Sequence, residues 1–138
     1  MGRLDALLAR IAPVKVITDP CLPEAGPLLV RYMLVKTDRV GLYIHHLLRS
    51  DHERALHDHP WSFFTWRFGS YIEHTERGAF RRRRFSIGWR PASYKHRLQL
   101  ERPVWTIVLR LRQRGAWGFW PDGRFVSWQD YGGAGCED

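Results

Sequence analysis

Apolar positions recur along this chain with two different periods. Near the start, Leu4, Leu7, Leu8 and Ile11 follow the i, i+3, i+4, i+7 spacing of one helix face, which predicts a short amphipathic helix ended by Pro13. This arm is expected to pack on the body or on a second subunit. From Asp19 to Pro27 the chain carries Pro20, Pro23, Gly26 and Pro27, a composition that predicts an irregular connector. Beyond it, short runs rich in Val, Ile, Tyr, Phe, Trp and Thr predict strands over Leu28–Lys36, Val40–Leu48, Ser62–Phe68, Ser70–Thr75, Ala79–Ile87, Val104–Leu111 and Phe125–Trp128.

Turn residues punctuate these runs. Gly69, Gly78 and Gly88 divide the middle of the chain, and Pro121-Asp122-Gly123 has the composition of a hairpin turn. Many short strands with regular turns predict an all-β sandwich or barrel, with residues 1–27 as arm and connector and residues 28–138 as one β domain. Trp105 to Leu109 is apolar at almost every position, as expected of a strand covered on both faces.

With 138 residues the chain can close a core without a disulfide or structural metal. Cys21 lies in a proline-rich stretch and Cys136 in a glycine-rich tail, which suits neither a disulfide scaffold nor a thiolate metal site; the expectation is a reducing, cytoplasmic setting. Arg3, Asp5 and Arg10 interrupt the apolar positions of the first segment, unlike a signal peptide, and no stretch approaches the roughly 18 apolar residues of a membrane span. The net charge of +8 and the run Arg81-Arg82-Arg83-Arg84 raise the question of nucleic acid. The other basic residues are scattered from Arg3 to Arg124 beside no recognised nucleic-acid motif, so a basic surface or a site for an anionic small molecule is the expected reading.

Candidate chemistry centres on histidine. His57 and His59 flank one residue in Leu56-His57-Asp58-His59-Pro60, and an unbroken strand would put both on one face; His96 closes Pro91-x-Ser93-x-x-His96. Neutral imidazoles are common ligands for iron, zinc, nickel and manganese, so the three predict a site for one such divalent ion. His45 and His46, adjacent in one predicted strand, face opposite ways and are expected to be satisfied core or surface residues.

The fragment Asp51-x5-His57-x-His59, followed by Gly69, resembles the first motif of the cupin superfamily, and Gly88-x2-Pro91-x-Ser93-x2-His96 resembles the second. Together with Trp61, Gly69-Ser70-Tyr71 and Trp117-Gly118-Phe119-Trp120, they are most similar to small bacterial and phage-associated cupins of undefined activity. The resemblance implies a double-stranded β-helix, a cupin or jelly-roll barrel whose mouth holds a small-molecule ligand, with His57, His59 and His96 as metal ligands. It departs from the family pattern in Asp51 and Ser93, where glycine is usual, and in Ser62 and Phe63, where a glutamate ligand would fall. Glu73, His74 or water is left as the fourth ligand, with Glu73 or His74 alternatively a general base, and Asp51, His52 and Glu53 could fold over the mouth. Asp58 would point away from the metal.

Two functions follow. One is a metal-dependent small-molecule enzyme of oxygenase, isomerase or hydrolase type; the other is a noncatalytic ligand-binding or assembly module, with a sugar-nucleotide epimerase the weaker third because no acid and base dyad is identifiable. Strand parity from Ser62 decides whether Thr65 and Arg67 or Phe64 and Trp66 face the cavity, and an inward Arg67 would anchor a carboxylate or phosphate. A homodimer is expected from the amphipathic arm and exposed strand edges.

Overall fold

The helical pattern near the start becomes α1, Arg3–Ile11, but not with the predicted face inward. In the computed structural model, which describes residues 2–51 and 55–132, Leu8 and Asp5 are buried while Leu4, Leu7 and Ile11 are exposed. Asp5, Leu8 and Ala12 form the docked stripe instead. Asp5 Oδ1 accepts the Tyr32 hydroxyl at 2.6 Å and lies 2.9 Å from His46 Nδ1, and Oδ2 accepts the Gly2 amide at 3.0 Å. Hydrogen bonds to a buried charge outweigh one more leucine, and they set the rotation of the helix. Asp5→Ala is therefore expected to cost about 2 kcal/mol, because the Tyr32 hydroxyl is left buried without its acceptor. Urea unfolding would measure this, and an unchanged midpoint would refute it.

Among the described residues twelve strands follow: β1 (Val14–Thr18), β2 (Pro27–Lys36), β3 (Gly41–Leu47), β4 (Ala55–His57), β5 (Trp61–Arg67), β6 (Tyr71–Thr75), β7 (Gly78–Arg82), β8 (Ile87–Arg90), β9 (His96–Gln99), β10 (Val104–Gln113), β11 (Gly118–Pro121) and β12 (Val126–Ser127). They form two six-stranded antiparallel sheets, ordered β1-β2-β3-β10-β5-β8 and β12-β11-β4-β9-β6-β7. This is the two-sheet barrel expected from the motifs. The apolar pattern does not anticipate β1, β4, β9 or β11, which are short. The predicted run Ala79–Ile87 divides into β7 and β8, which lie in different sheets, with Phe85 between them at φ 61°.

The core lies in two layers. Between the sheets, Tyr43, Trp61, Phe63 and Val108 pack together, as do Leu47, Tyr71 and Val104; outside the first sheet, Leu8 and Ala12 cover Val30 and Tyr32. That outer cover reaches Trp105, whose ring stacks on His46 at 4.0 Å, and stops short of Leu109. Parity in β5 is also decided: Trp61, Phe63, Thr65 and Arg67 point inward, while Phe64 and Trp66 are 43% and 45% exposed.

Pro121-Asp122-Gly123 makes the predicted hairpin turn. Asp122 and Gly123 have φ of 54° and 78°, and the Arg124 amide donates to the Pro121 carbonyl at 3.1 Å, the backbone of a type I′ turn. Contrary to the sequence expectation, Cys21 is disulfide-bonded; Cys136 lies outside the described residues. Cysteine usage therefore no longer argues for a reducing setting. Among the described residues, no helix is long and apolar enough to cross a membrane.

Candidate metal centre

Strand β4 is only three residues long, yet it sets the centre. Flanked by β9 and β11, it pairs His57 with His96 on one side and with Phe119 on the other. Directly paired residues share a face, and the His57 and His96 rings stand 4.9 Å apart. The strand ends at His57, so His59 does not arrive by alternation along an unbroken strand. It comes in where the chain crosses to the other sheet, its amide held by the Ala92 carbonyl at 3.1 Å. Its ring lies 5.0 Å from His57 and 4.9 Å from His96, and one ring nitrogen of each of the three falls within 4.8 Å of the others.

Asp58 turns away from the centre, as expected, although the strand that should have turned it has already ended. Its carboxylate accepts the Gly118 amide at 2.8 Å and the Trp120 indole at 3.1 Å, fastening β11 beside the centre. Gly118 has no room for a side chain, since a Cβ there would overlap the Val126 carbonyl. Asp51 sits on the other side. It accepts the Leu98 amide at 2.7 Å and lies 3.9 Å from His57 Nδ1. His52 and Glu53, the other loop residues considered over the mouth, lie outside the described residues.

Glu73 enters the barrel, but as neither ligand nor free base. Alternation in β6 buries Tyr71 and Glu73, and both Glu73 oxygens are occupied. Oε1 accepts from Arg82 at 2.8 Å, Arg90 at 2.6 Å and Tyr94 at 3.2 Å; Oε2 accepts from Arg90 at 3.2 Å and lies 2.6 Å from His96 Nδ1. Burial alone would raise its pKa, but the hydrogen bonds from His96 and Arg90 win and hold the carboxyl well below the usual carboxylate range. With an ionised acceptor on Nδ1, a neutral His96 carries its proton there and presents the Nε2 lone pair to the centre. His74 faces outward and bonds Gln99 at 2.8 Å, so it does not supply a fourth ligand.

The residues present fit a divalent ion. His96 Nε2 and His59 Nε2 face each other at 3.4 Å, about the edge of a tetrahedron around an ion with nitrogens at roughly 2.0–2.1 Å. With an ion on Nε2, the neutral His59 ring carries its proton on Nδ1, which is buried without a hydrogen-bond partner. Burial, partly opposed by Asp51, pulls the His57 pKa down to about 4; burial and the neighbouring His96 and His57 push His59 well below its usual value. Both rings are neutral at pH 7, the form that binds metal. A cavity of about 860 Å³ opens over the three histidines and is lined also by Trp61, Phe63 and Arg31.

No family model and no curated protein matches this sequence. Solved structures do match. The DMSP lyase DddQ from Ruegeria pomeroyi DSS-3 superposes with a TM-score of 0.66 at 17% identity, over 87% of this chain and 68% of that one. An RmlC-like cupin from Shewanella frigidimarina NCIMB 400 gives 0.57 at 12% identity, over 76% and 87%. The iron(II) form of HppE gives 0.59 at 11% identity, over 72% of this chain and 56% of that one.

This chain has the cupin fold. In this chain the residues at the place of the glutamate usual in the cupin motif do other work. Ser62 Oγ accepts the Ala92 amide at 2.9 Å, and the Phe63 ring packs edge-on against His59 at 4.7 Å. Arg67 points inward but does not line the cavity, because Tyr71 at 2.7 Å and Ser86 at 3.0 Å hold it; it is not positioned to anchor a ligand. The sequence reading missed Arg82, Arg90 and Tyr94 as partners of Glu73. A signal existed: Arg82 sits in the four-arginine run, and alternation along β7 was enough to turn one of those arginines toward the neighbouring strand.

Proposed function

We propose that this cupin binds a divalent metal ion through His57, His59 and His96 and uses it to act on a small anionic molecule held in the cavity. The observation that carries this reading is the convergence of three imidazoles on one point in the cavity, one of them aimed by a buried carboxylate. When bound, the ion supplies Lewis acidity to a substrate or water oxygen at the positions that three protein ligands leave open. The protein's own residues do the rest. Glu73 fixes the tautomer and direction of His96, while the Trp61 and Phe63 rings, 5.7 Å and 4.7 Å from His59, exclude water from it.

Elemental analysis of the untagged protein is expected to find about one iron, zinc, nickel or manganese ion per chain, falling at least about tenfold in His57→Ala and His96→Ala. If no metal is retained, and none binds when each is supplied, the barrel serves as a noncatalytic binding module and the metal reading fails.

A further inference from the structure

Opposite the histidines, the inner face of the first sheet carries a row of five polar side chains, three of them cationic. Cross-strand register places Lys15, Arg31, His45, Thr106 and Arg67 side by side on β1, β2, β3, β10 and β5. Arg31 is the member that faces the cavity with its charge unanswered. Its Nε donates to His45 Nε2 at 2.9 Å, and both Nη groups lack a hydrogen bond among the described residues. His45 is buried, and burial together with Arg31 keeps it neutral, so it is a dipolar partner and not a counter-ion.

A like charge lies near this guanidinium. Arg110 lines the same cavity and is close enough to oppose the Arg31 charge, its own bonds going to the Tyr43 hydroxyl at 3.0 Å and the Thr37 carbonyl at 2.7 Å. The carboxylates that line the cavity are engaged elsewhere: Glu73 with Arg82 and Arg90, Asp51 with the Leu98 amide, Asp19 with the Cys21 amide. Among the described residues none pairs with Arg31. A partly buried cation whose partners, His45 and the Tyr43 and Trp61 rings, are all neutral is costly unless an anion completes it. The location is equally informative, since the Arg31 Cζ lies 5.8 Å from the Trp61 ring, which itself lies 5.7 Å from the His59 ring.

We infer that the cavity takes a small molecule bearing a carboxylate or phosphoryl group, its oxyanion docked on the two Nη groups of Arg31 and its remainder lying along Trp61 toward the three imidazoles. This assignment rests on the reading of the histidine cavity as a small-molecule site. Arg31 presents two parallel N–H groups to two oxygens, which a lysine cannot do, and His45 is the positioning residue that holds the fork.

The test is calorimetric titration of the full-length protein with malonate, inorganic phosphate and neutral malonamide, as isolated and after chelator treatment. At least one oxyanion is expected to bind in both forms and malonamide in neither; which oxyanion binds separates a carboxylate from a phosphoryl ligand. Arg31→Gln is expected to weaken binding by roughly tenfold or more with metal content unchanged. Should that variant fail to fold, Arg31→Lys keeps the charge without the fork and is expected to lose several-fold, about half an order of magnitude. No oxyanion binding by wild type, or equal affinity in the folded variant, overturns the inference. Arg31-dependent binding in a protein that never holds metal overturns only the metal reading, whereas retained metal without Arg31-dependent binding overturns only this one.

Discussion

Glu73→Ala is expected to destabilise the fold by about 3–5 kcal/mol, because it strands two guanidiniums that share one buried carboxylate. Glu73 is 1% exposed and accepts from Arg82 and Arg90, so its removal leaves like charges facing each other with nothing between them. A second effect falls on the metal centre. Without the Glu73 acceptor, nothing holds the His96 proton on Nδ1, and metal affinity should fall about 10–100-fold. Urea unfolding reads the first effect, and competition with a chromogenic chelator reads the second. Glu73→Gln keeps the shape and loses the charge, so it should retain more stability than alanine. A Glu73→Ala protein with wild-type unfolding and metal retention would show that the network is decoration.

Acid should unfold the metal-free protein earlier than carboxylate protonation alone would. His57 has its pKa depressed from 6.5 to about 4 in the folded state. Between those values the unfolded chain takes up a proton that the folded chain refuses, so stability rises with pH across this window. The contribution is fully present above about pH 6.5 and is lost as pH falls toward 4, amounting to about 3 kcal/mol. His59 is depressed too, with the same sign, and adds to the loss. Glu73 acts lower, since a carboxylate held below its usual range contributes stability that is lost only as pH falls beneath the ordinary carboxylate value. Urea midpoints taken on chelated protein from neutral to mildly acidic pH should therefore decline before any carboxylate titrates; a flat profile down to the carboxylate range would mean that these histidines are solvated.

Much of the centre was legible in the chain because its residues are ones whose chemistry has few alternatives. His57, His59 and His96 stand out by type and spacing, and the structure brings all three together. His45 and His46 separate as alternation requires, one bonded to Arg31 inside and the other beside Asp5 outside. What spacing does not contain is a partner brought in from another strand. Glu73 was visible as a candidate, but its role depends on four groups drawn from β7, β8, the loop before β9 and β9 itself.

The sequence by itself determined the all-β architecture, the short helix at its start, the Asp122-Gly123 turn and the identity of the three histidines. Each depends on local backbone preference or on side-chain chemistry, which a few neighbouring residues express. Only the tertiary structure decided which way β5 faces, which stripe of α1 docks, and how His59 reaches the centre. A strand shifted by one residue exchanges its two faces, and a helix rotates to satisfy its one buried charge, so the choice is made by partners far away in the chain. For the same reason Arg67, prominent in the sequence, is tied to Tyr71 and Ser86, while Arg31 is left facing open space.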